Sequence, residues 1–243
     1  MRIIRYEFKY FITTEQYREI MGCISRHLIP DPYARDCPGY RYMVNSLYLD
    51  SPSRLYYDEK MAGIQYRRKI RMRCYSADFF NADYYFAEIK KRDMFHIDKL
   101  RMKLKNGDFQ NYLERQFLNL SPAFMDDSHP DHAIARELIY YTNRHILEPR
   151  TFILYEREAY IAENDDTIRV TFDRSIMSQS FYSGLSRDLT GWTLIFPGKT
   201  VLEIKVRTFL PFWLHEMVKE LGLDFEAISK YCSGVDRAAA FCQ

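Results

Sequence analysis

Over residues 66–75, YRRKIRMRCY, alternate positions carry Arg67, Lys69, Arg71 and Arg73, and the positions between them carry Arg68, Ile70, Met72 and Cys74. A period of two is the pattern of a β-strand, whose successive side chains point to opposite faces. The same alternation recurs along the chain. In FAEIKKR, Glu88, Lys90 and Arg92 oppose Ala87 and Ile89, and in IDKLRMKL, Lys99, Arg101 and Lys103 oppose Leu100, Met102 and Leu104. In VLEIKVR, Glu203, Lys205 and Arg207 oppose Leu202, Ile204 and Val206. The first strand sets Arg5, Glu7 and Lys9 against Tyr6, Phe8 and Tyr10. YEREAY adds Arg157, and TIRVTFD adds Arg169 and Asp173 opposite Ile168, Val170 and Phe172.

The sign of the charge is as informative as the period. These polar faces hold fifteen basic residues and four acids (Glu7, Glu88, Asp173, Glu203), in a chain whose formal net charge is only +2. Like charges opposite each other on paired strands are destabilising, so a fold that collects them calls for a polyanionic partner. Solvated faces of an open sheet would explain the alternation. They would not explain the bias, because a surface kept soluble by charge usually mixes both signs.

Strand-like segments fall at about 3–12, 40–50, 64–75, 84–93, 96–105, 151–162, 167–174 and 200–208. A helix is expected from Thr13, which forms a capping box with Gln16, to about Arg26. Others are expected at 53–61, 109–118, 133–146 and after Pro211. Parallel strands buried on both sides read as continuous apolar runs, whereas these alternate, so the sheet should be antiparallel and the class α+β. Strands of eight or nine residues are roughly 27–30 Å long. About eight of them close into a barrel just wide enough for side chains and a slim ligand, with helices packed outside. A triphosphate or linear polyphosphate fits such a tunnel and duplex nucleic acid does not. Guanidinium groups suit that ligand because their forked donors match phosphate oxygens.

The 243 residues suffice for one large domain, taken as 1–243. The five cysteines, Cys23, Cys37, Cys74, Cys232 and Cys242, are scattered and lack the C-x-x-C spacing of a zinc site. They read as thiols of a reducing compartment. The start, MRIIRYEFKYFI, is charged and has no apolar core like that of a signal peptide. No apolar run approaches the ~20 residues of a membrane span. A soluble, cytoplasmic protein is expected.

The segments YEFKYFI, YLDSPSRLYYDEKMAGIQYRRKIRMRCY, FAEIKKR, KLRMKL, YEREAY, IRVTFD, VLEIKV and AISKYCSGV, in this order, resemble the VTC domain. That is the polyphosphate polymerase domain of the CYTH-like triphosphate tunnel metalloenzyme superfamily. The resemblance implies a tunnel that binds ATP or another triphosphate, a growing polyphosphate chain, and Mn²⁺ or Mg²⁺. It implies phosphate-binding roles for Lys9, Arg71, Arg73, Lys90, Lys99, Arg101, Arg157, Arg169, Lys205 and Lys230. Glu203 is the implied metal ligand, with Glu88 as a second carboxylate, and Lys9, Arg71, Arg73, Lys90 and Glu203 form the catalytic set. The wider superfamily begins E-x-E-x-K, whereas the matching positions here are Arg5, Glu7 and Lys9. One carboxylate fewer fits the polymerase branch better than two-metal hydrolysis.

Phosphoryl transfer demands positioning and charge neutralisation more than covalent work by the protein, and an anionic phosphate acceptor needs no strong general base. Three readings stay open at this point: a polyphosphate polymerase, a metal-dependent triphosphatase, and a non-catalytic module that binds polyphosphate or nucleotide. Oligomeric state has no signature in the sequence.

Overall fold

The computed structural model describes residues 6–94, 96–117, 119–163, 165–181, 191–207 and 209–239. In chain order its elements are β1 (Tyr6–Ile12), α1 (Thr14–Ile24), β2 (Leu28–Pro30), α2 (Pro32–Arg35), β3 (Arg41–Asp50) and α3 (Leu55–Met61). Next come β4 (Tyr66–Cys74), β5 (Tyr84–Asp93), β6 (His96–Lys105), α4 (Asn106–Glu114), α5 (His132–His145) and β7 (Glu148–Ala162). The chain continues with β8 (Asp165–Ser180), β9 (Thr193–Leu194), β10 (Thr200–Val206), α6 (Phe212–Glu220) and α7 (Lys230–Ala239). All eight expected strands are present. Arg5, the first basic position of the first strand, and Cys242 lie outside the described residues.

The strands pair in the order β1-β10-β8-β7-β3-β4-β5-β6, with β2 on β7 and β9 on β8. The ladders with a recorded register are antiparallel, so the class is α+β, as alternation requires. Among the described residues no ladder joins β1 to β6, so hydrogen bonds do not close the sheet into a barrel.

By compactness the chain divides into two units. Unit 1 comprises residues 1–43, 154–177 and 194–230, and unit 2 comprises 44–153, 178–193 and 231–243. Each has its own apolar core. In unit 1, Ile20 and Ile24 of α1 and Leu214 and Met217 of α6 pack with Tyr10, Val170, Phe172, Leu202 and Ile204. In unit 2, Tyr56 of α3, Phe109 and Tyr112 of α4 and Leu138 of α5 pack with Ile70, Met72, Ala87, Ile89 and Met102. The helices therefore cover the apolar faces of the strands and leave the charged faces on the opposite side.

Local chemistry explains the helix starts. Thr13 caps α1 by accepting from Gln16 N at 3.2 Å, and Gln16 Oε1 accepts from Thr13 N at 3.0 Å, the reciprocal box expected from the sequence. Helix α3 follows Arg54, whose φ of 62° is left-handed. Its free amides are met from upstream: buried Asp50 accepts from Tyr56 N at 2.9 Å and Tyr57 N at 3.0 Å. Among the described residues no helix is long and apolar enough to cross a membrane.

Candidate functional site

The charged faces are buried in part, whereas Lys99, Arg101 and Lys103 of β6 are exposed. Arg73 and Glu203 are 6% exposed, Glu88 1%, and Asp173 fully buried. A solvated face of an open sheet would leave these side chains in water. Burial of charge is tolerated only when it is paired, and two pairing networks provide that, one in each unit.

In unit 1 register places Lys9 opposite Glu203 and Glu203 opposite Thr171. Lys9 Nζ lies 3.7 Å from Glu203 Oε1, Lys205 Nζ 3.3 Å from Oε2, and Arg157 Nη2 3.7 Å from Oε2. Arg157 also grips Asp173 with both arms of its fork, Nε at 2.6 Å and Nη2 at 2.8 Å. Lys230 Nζ reaches Asp173 Oδ2 at 2.6 Å. Tyr155 lies beneath both cations, 5.2 Å from the Arg157 guanidinium carbon and 4.9 Å from Lys230 Nζ. Four cations thus surround two carboxylates. Burial pushes the Glu203 carboxyl up, but Lys205, Lys9, Lys230 and Arg157 together hold it well below its usual range. Asp173 is likewise raised by burial and lowered by Arg157 and Lys230, coming to rest at about 2.

In unit 2 three strands form rows across the sheet. Lys69, Lys90 and Lys99 are in register, as are Arg71, Glu88 and Arg101, and then Arg73, Phe86 and Lys103. Glu88 is the hub. Arg71 donates to its Oε2 from Nε at 2.7 Å and lies 2.6 Å away through Nη2. Lys99 Nζ is 2.6 Å and Arg101 Nε 3.3 Å from Oε1. Burial would raise the Glu88 carboxyl, but Arg71, Arg73 and Lys99 drive it far below its ordinary value. Arg73 Nε donates to Ser46 Oγ at 3.1 Å, and Arg71 Nη1 donates to Tyr48 Oη at 2.8 Å. Burial raises the Tyr48 phenol, but Arg71, Arg73 and Lys69 outweigh it and bring it down to about 8. Lys99 is depressed by burial and Arg71 against the pull of Glu88. With 43% of its side chain exposed, solvent screening keeps that depression small, and Lys99 stays a cation at neutral pH.

The structure thus gathers Lys9, Arg157, Lys205 and Lys230 around Glu203, and Arg71, Arg73, Lys90, Lys99 and Arg101 on the Glu88 face. Arg169 is opposite Lys205 in register but is tied elsewhere, its Nη1 2.7 Å from Asp31 Oδ2. Cations meet both oxygens of Glu88, of Glu203 and of Asp173 alike. Arg157 joins Glu203 and Asp173 into one cluster. Among the described residues no group of three His, Cys, Asp or Glu forms a protein-only metal cage. Two carboxylates are nevertheless the donor set that holds Mg²⁺ or Mn²⁺ when substrate phosphates and waters complete the shell.

Asp173, Tyr48 and Ser46 had no assigned role in the sequence. Asp173 shares an alternating face with Arg169. Ser46, Tyr48 and Asp50 alternate along β3 against Leu47 and Leu49, a polar face legible in hindsight by its period. Glu158 marks the contrast. It is also buried, but Arg41, Arg174 and Tyr17 satisfy it within one local cluster, a structural use of charge.

The structure is an antiparallel sheet with a cation-rich face in each unit. The chain belongs to the VTC domain family, whose model matches residues 4–239. Among solved structures, the PH1819 protein of Pyrococcus horikoshii OT3 is similar at 13% identity and a TM-score of 0.50, covering 98% of this chain and 99% of that one. A protein of Bacillus halodurans shows 10% identity and a TM-score of 0.49, with 93% of each chain covered. A Hippeastrum protein described as having a dominant triphosphatase activity shows 13% identity and a TM-score of 0.46, with 96% of each chain covered. At such identities the first likeness speaks to fold alone. No curated relative matches the chain in sequence.

Proposed function

We propose that this chain is a metal-dependent phosphotransferase of the polyphosphate polymerase type, moving the γ-phosphoryl group of ATP onto a polyphosphate chain. The observation that carries the reading is the clustering of cations around shared carboxylates. Lys9, Arg157, Lys205 and Lys230 gather at Glu203 and Asp173, and Arg71, Lys99 and Arg101 gather at Glu88. Cations collected in this way suit phosphate oxygens as a ligand.

In this reading Arg71, Arg73, Lys90, Lys99 and Arg101 bind and orient phosphates on one face, and Lys9, Arg157, Lys205 and Lys230 do so on the other. Arg169 assists from its pair with Asp31. Glu203, with Asp173, would hold the metal, while Glu88 acts as the counter-charge that keeps Arg71, Lys99 and Arg101 in place. Mn²⁺ or Mg²⁺ bound there would neutralise negative charge on the transferred group. The protein side chains supply in-line positioning and neutralise the equatorial oxygens; an acceptor phosphate oxygen, already anionic, attacks the γ-phosphorus without a general base, the bond to the β–γ bridging oxygen breaks, and ADP leaves. Cytoplasmic ATP is the donor this chemistry needs, and that compartment suits Cys23, Cys37, Cys74 and Cys232, which form no disulfide among the described residues.

The test is incubation of the full chain with ATP and Mn²⁺, followed by separation of orthophosphate from polyphosphate. Chain growth supports the phosphotransferase. Orthophosphate alone assigns a triphosphatase on the same binding faces. Tight binding with neither product assigns a binding module.

A further inference from the structure

The cationic face of β4, β5 and β6 changes character at one end. Its rows run from Lys69, Lys90 and Lys99, through Arg71, Glu88 and Arg101, to Arg73, Phe86 and Lys103. By strand alternation Tyr84 lies on the same face as Phe86 and Glu88, and Tyr75 follows Arg73 at the same two-residue interval. Three aromatic rings therefore follow directly after the cations. Tyr75 is 46% and Tyr84 48% exposed, and Phe86 is half-buried.

Core packing does not account for them. The neighbouring ring on the other face, Tyr85, is fully buried and stacks on Phe109 at 3.9 Å; that is what a core aromatic on this strand looks like. The exposed rings instead meet cations. The Arg101 guanidinium carbon sits 3.6 Å over Phe86, its Nη2 donates to Tyr75 Oη at 2.8 Å, and Lys103 Nζ lies 3.7 Å over Tyr84. Tyr75 and Phe86 pack edge to face at 5.8 Å. Rings on one side and a phosphate-binding row next to them are the two halves of a nucleotide site: bases stack on aromatic and guanidinium planes, and phosphates take forked donors. Successive rows are about 7 Å apart along a strand, so a base at the rings leaves its phosphates at the Arg73 and Arg71 rows.

We propose that Tyr75, Phe86 and Tyr84 form a nucleobase platform at this end of the cationic face. The chain then takes a nucleoside triphosphate in a fixed direction, with the base on the rings and the terminal phosphate toward Lys69, Lys90 and Lys99. The proposal rests on the phosphate-binding reading of the same face and adds the nucleoside half of the substrate. Stacking tolerates any base, whereas an inorganic chain gains nothing from the rings, so the platform separates nucleotide from inorganic phosphate.

The experiment titrates the full chain calorimetrically with ATP and, separately, with inorganic tripolyphosphate, for wild type and for Tyr75→Leu, Tyr84→Leu and Tyr75→Phe. Tyr75→Phe keeps the ring and loses only the hydroxyl that accepts from Arg101. A stacked base contributes ~1–3 kcal/mol, so each Leu variant is expected to weaken ATP about tenfold and leave tripolyphosphate within about twofold. Tyr75→Phe is expected to keep the wild-type ratio of the two affinities. If the Leu variants weaken both ligands by the same factor, or neither, the platform is refuted and the phosphate face stands. If wild type binds neither ligand, the phosphate reading fails and the platform with it.

Discussion

Glu88→Gln isolates the central physical idea, because it removes one negative charge and almost no volume. Glu88 is 1% exposed and meets Arg71, Lys99 and Arg101 within 3.3 Å. Without its charge, the mutual repulsion of these cations and nearby Arg73 is less offset. Breaking a buried ion pair by neutralising one partner typically costs ~3–5 kcal/mol. For a chain of this length each kcal/mol moves Tm by roughly 2–4 °C, so a fall of about 6–20 °C is expected in the absence of anions. Tripolyphosphate should then recover stability, since a ligand at one hundred times its Kd adds ~2.7 kcal/mol. The gain in Tm should be larger for the variant than for wild type, because the ligand replaces the missing counter-charge. The effect also has a pH signature. The folded carboxyl lies far below its ordinary value, as burial is outweighed by Arg71, Arg73 and Lys99. A group depressed in this way contributes stability above its unfolded value of ~4.3 and loses it as pH falls toward the folded value. The gap in Tm between wild type and Glu88→Gln should therefore be full at pH 7 and shrink below about pH 4. Differential scanning fluorimetry with and without tripolyphosphate, from pH 7 to pH 3.5, measures all of this. An unchanged Tm at pH 7, or a gap that tripolyphosphate does not narrow, would refute the reasoning.

Arg71→Ala and Arg73→Ala should each weaken tripolyphosphate by ~1.5–3 kcal/mol, about 10- to 150-fold, in calorimetric titration. Glu203→Gln should abolish Mn²⁺-dependent ATP turnover while leaving metal-free tripolyphosphate binding intact or tighter; full activity with an unchanged Mn²⁺ dependence would remove Glu203 from the metal site. Arg71, Arg73 and Lys69 bring the Tyr48 phenol down to about 8, and it accepts a hydrogen bond from Arg71, so its phenolate places negative charge beside Arg71 and Arg73. Tripolyphosphate affinity should fall as pH rises through 8, and Tyr48→Phe should remove that part of the fall.

The strands and the sign of their charged faces were legible because side-chain direction in a strand has a period of two, independent of the neighbours. The capping box of Thr13 and Gln16 was legible for a similar reason, since it closes within four residues. Other elements escaped. Strand β2 has three residues and ends at Pro30, and it exists because it pairs with β7 at Ala162, Ile161 and Tyr160. Helix α7 carries Ser233 and Gly234 in its first half, residues that weaken a helical pattern.

The sequence by itself determined that this chain makes antiparallel strands with one apolar and one basic face. Only the tertiary structure decided which carboxylate answers which cation. Register sets Glu88 between Arg71 and Arg101 and sets Lys9 opposite Glu203. The fold brings Lys230, from the last helix, onto Asp173 beside Arg157. Those partners lie tens to hundreds of residues apart, and nothing in local spacing encodes them. Electrostatic energy depends on distance and on exclusion of water, both of which come into being only when the faces are buried.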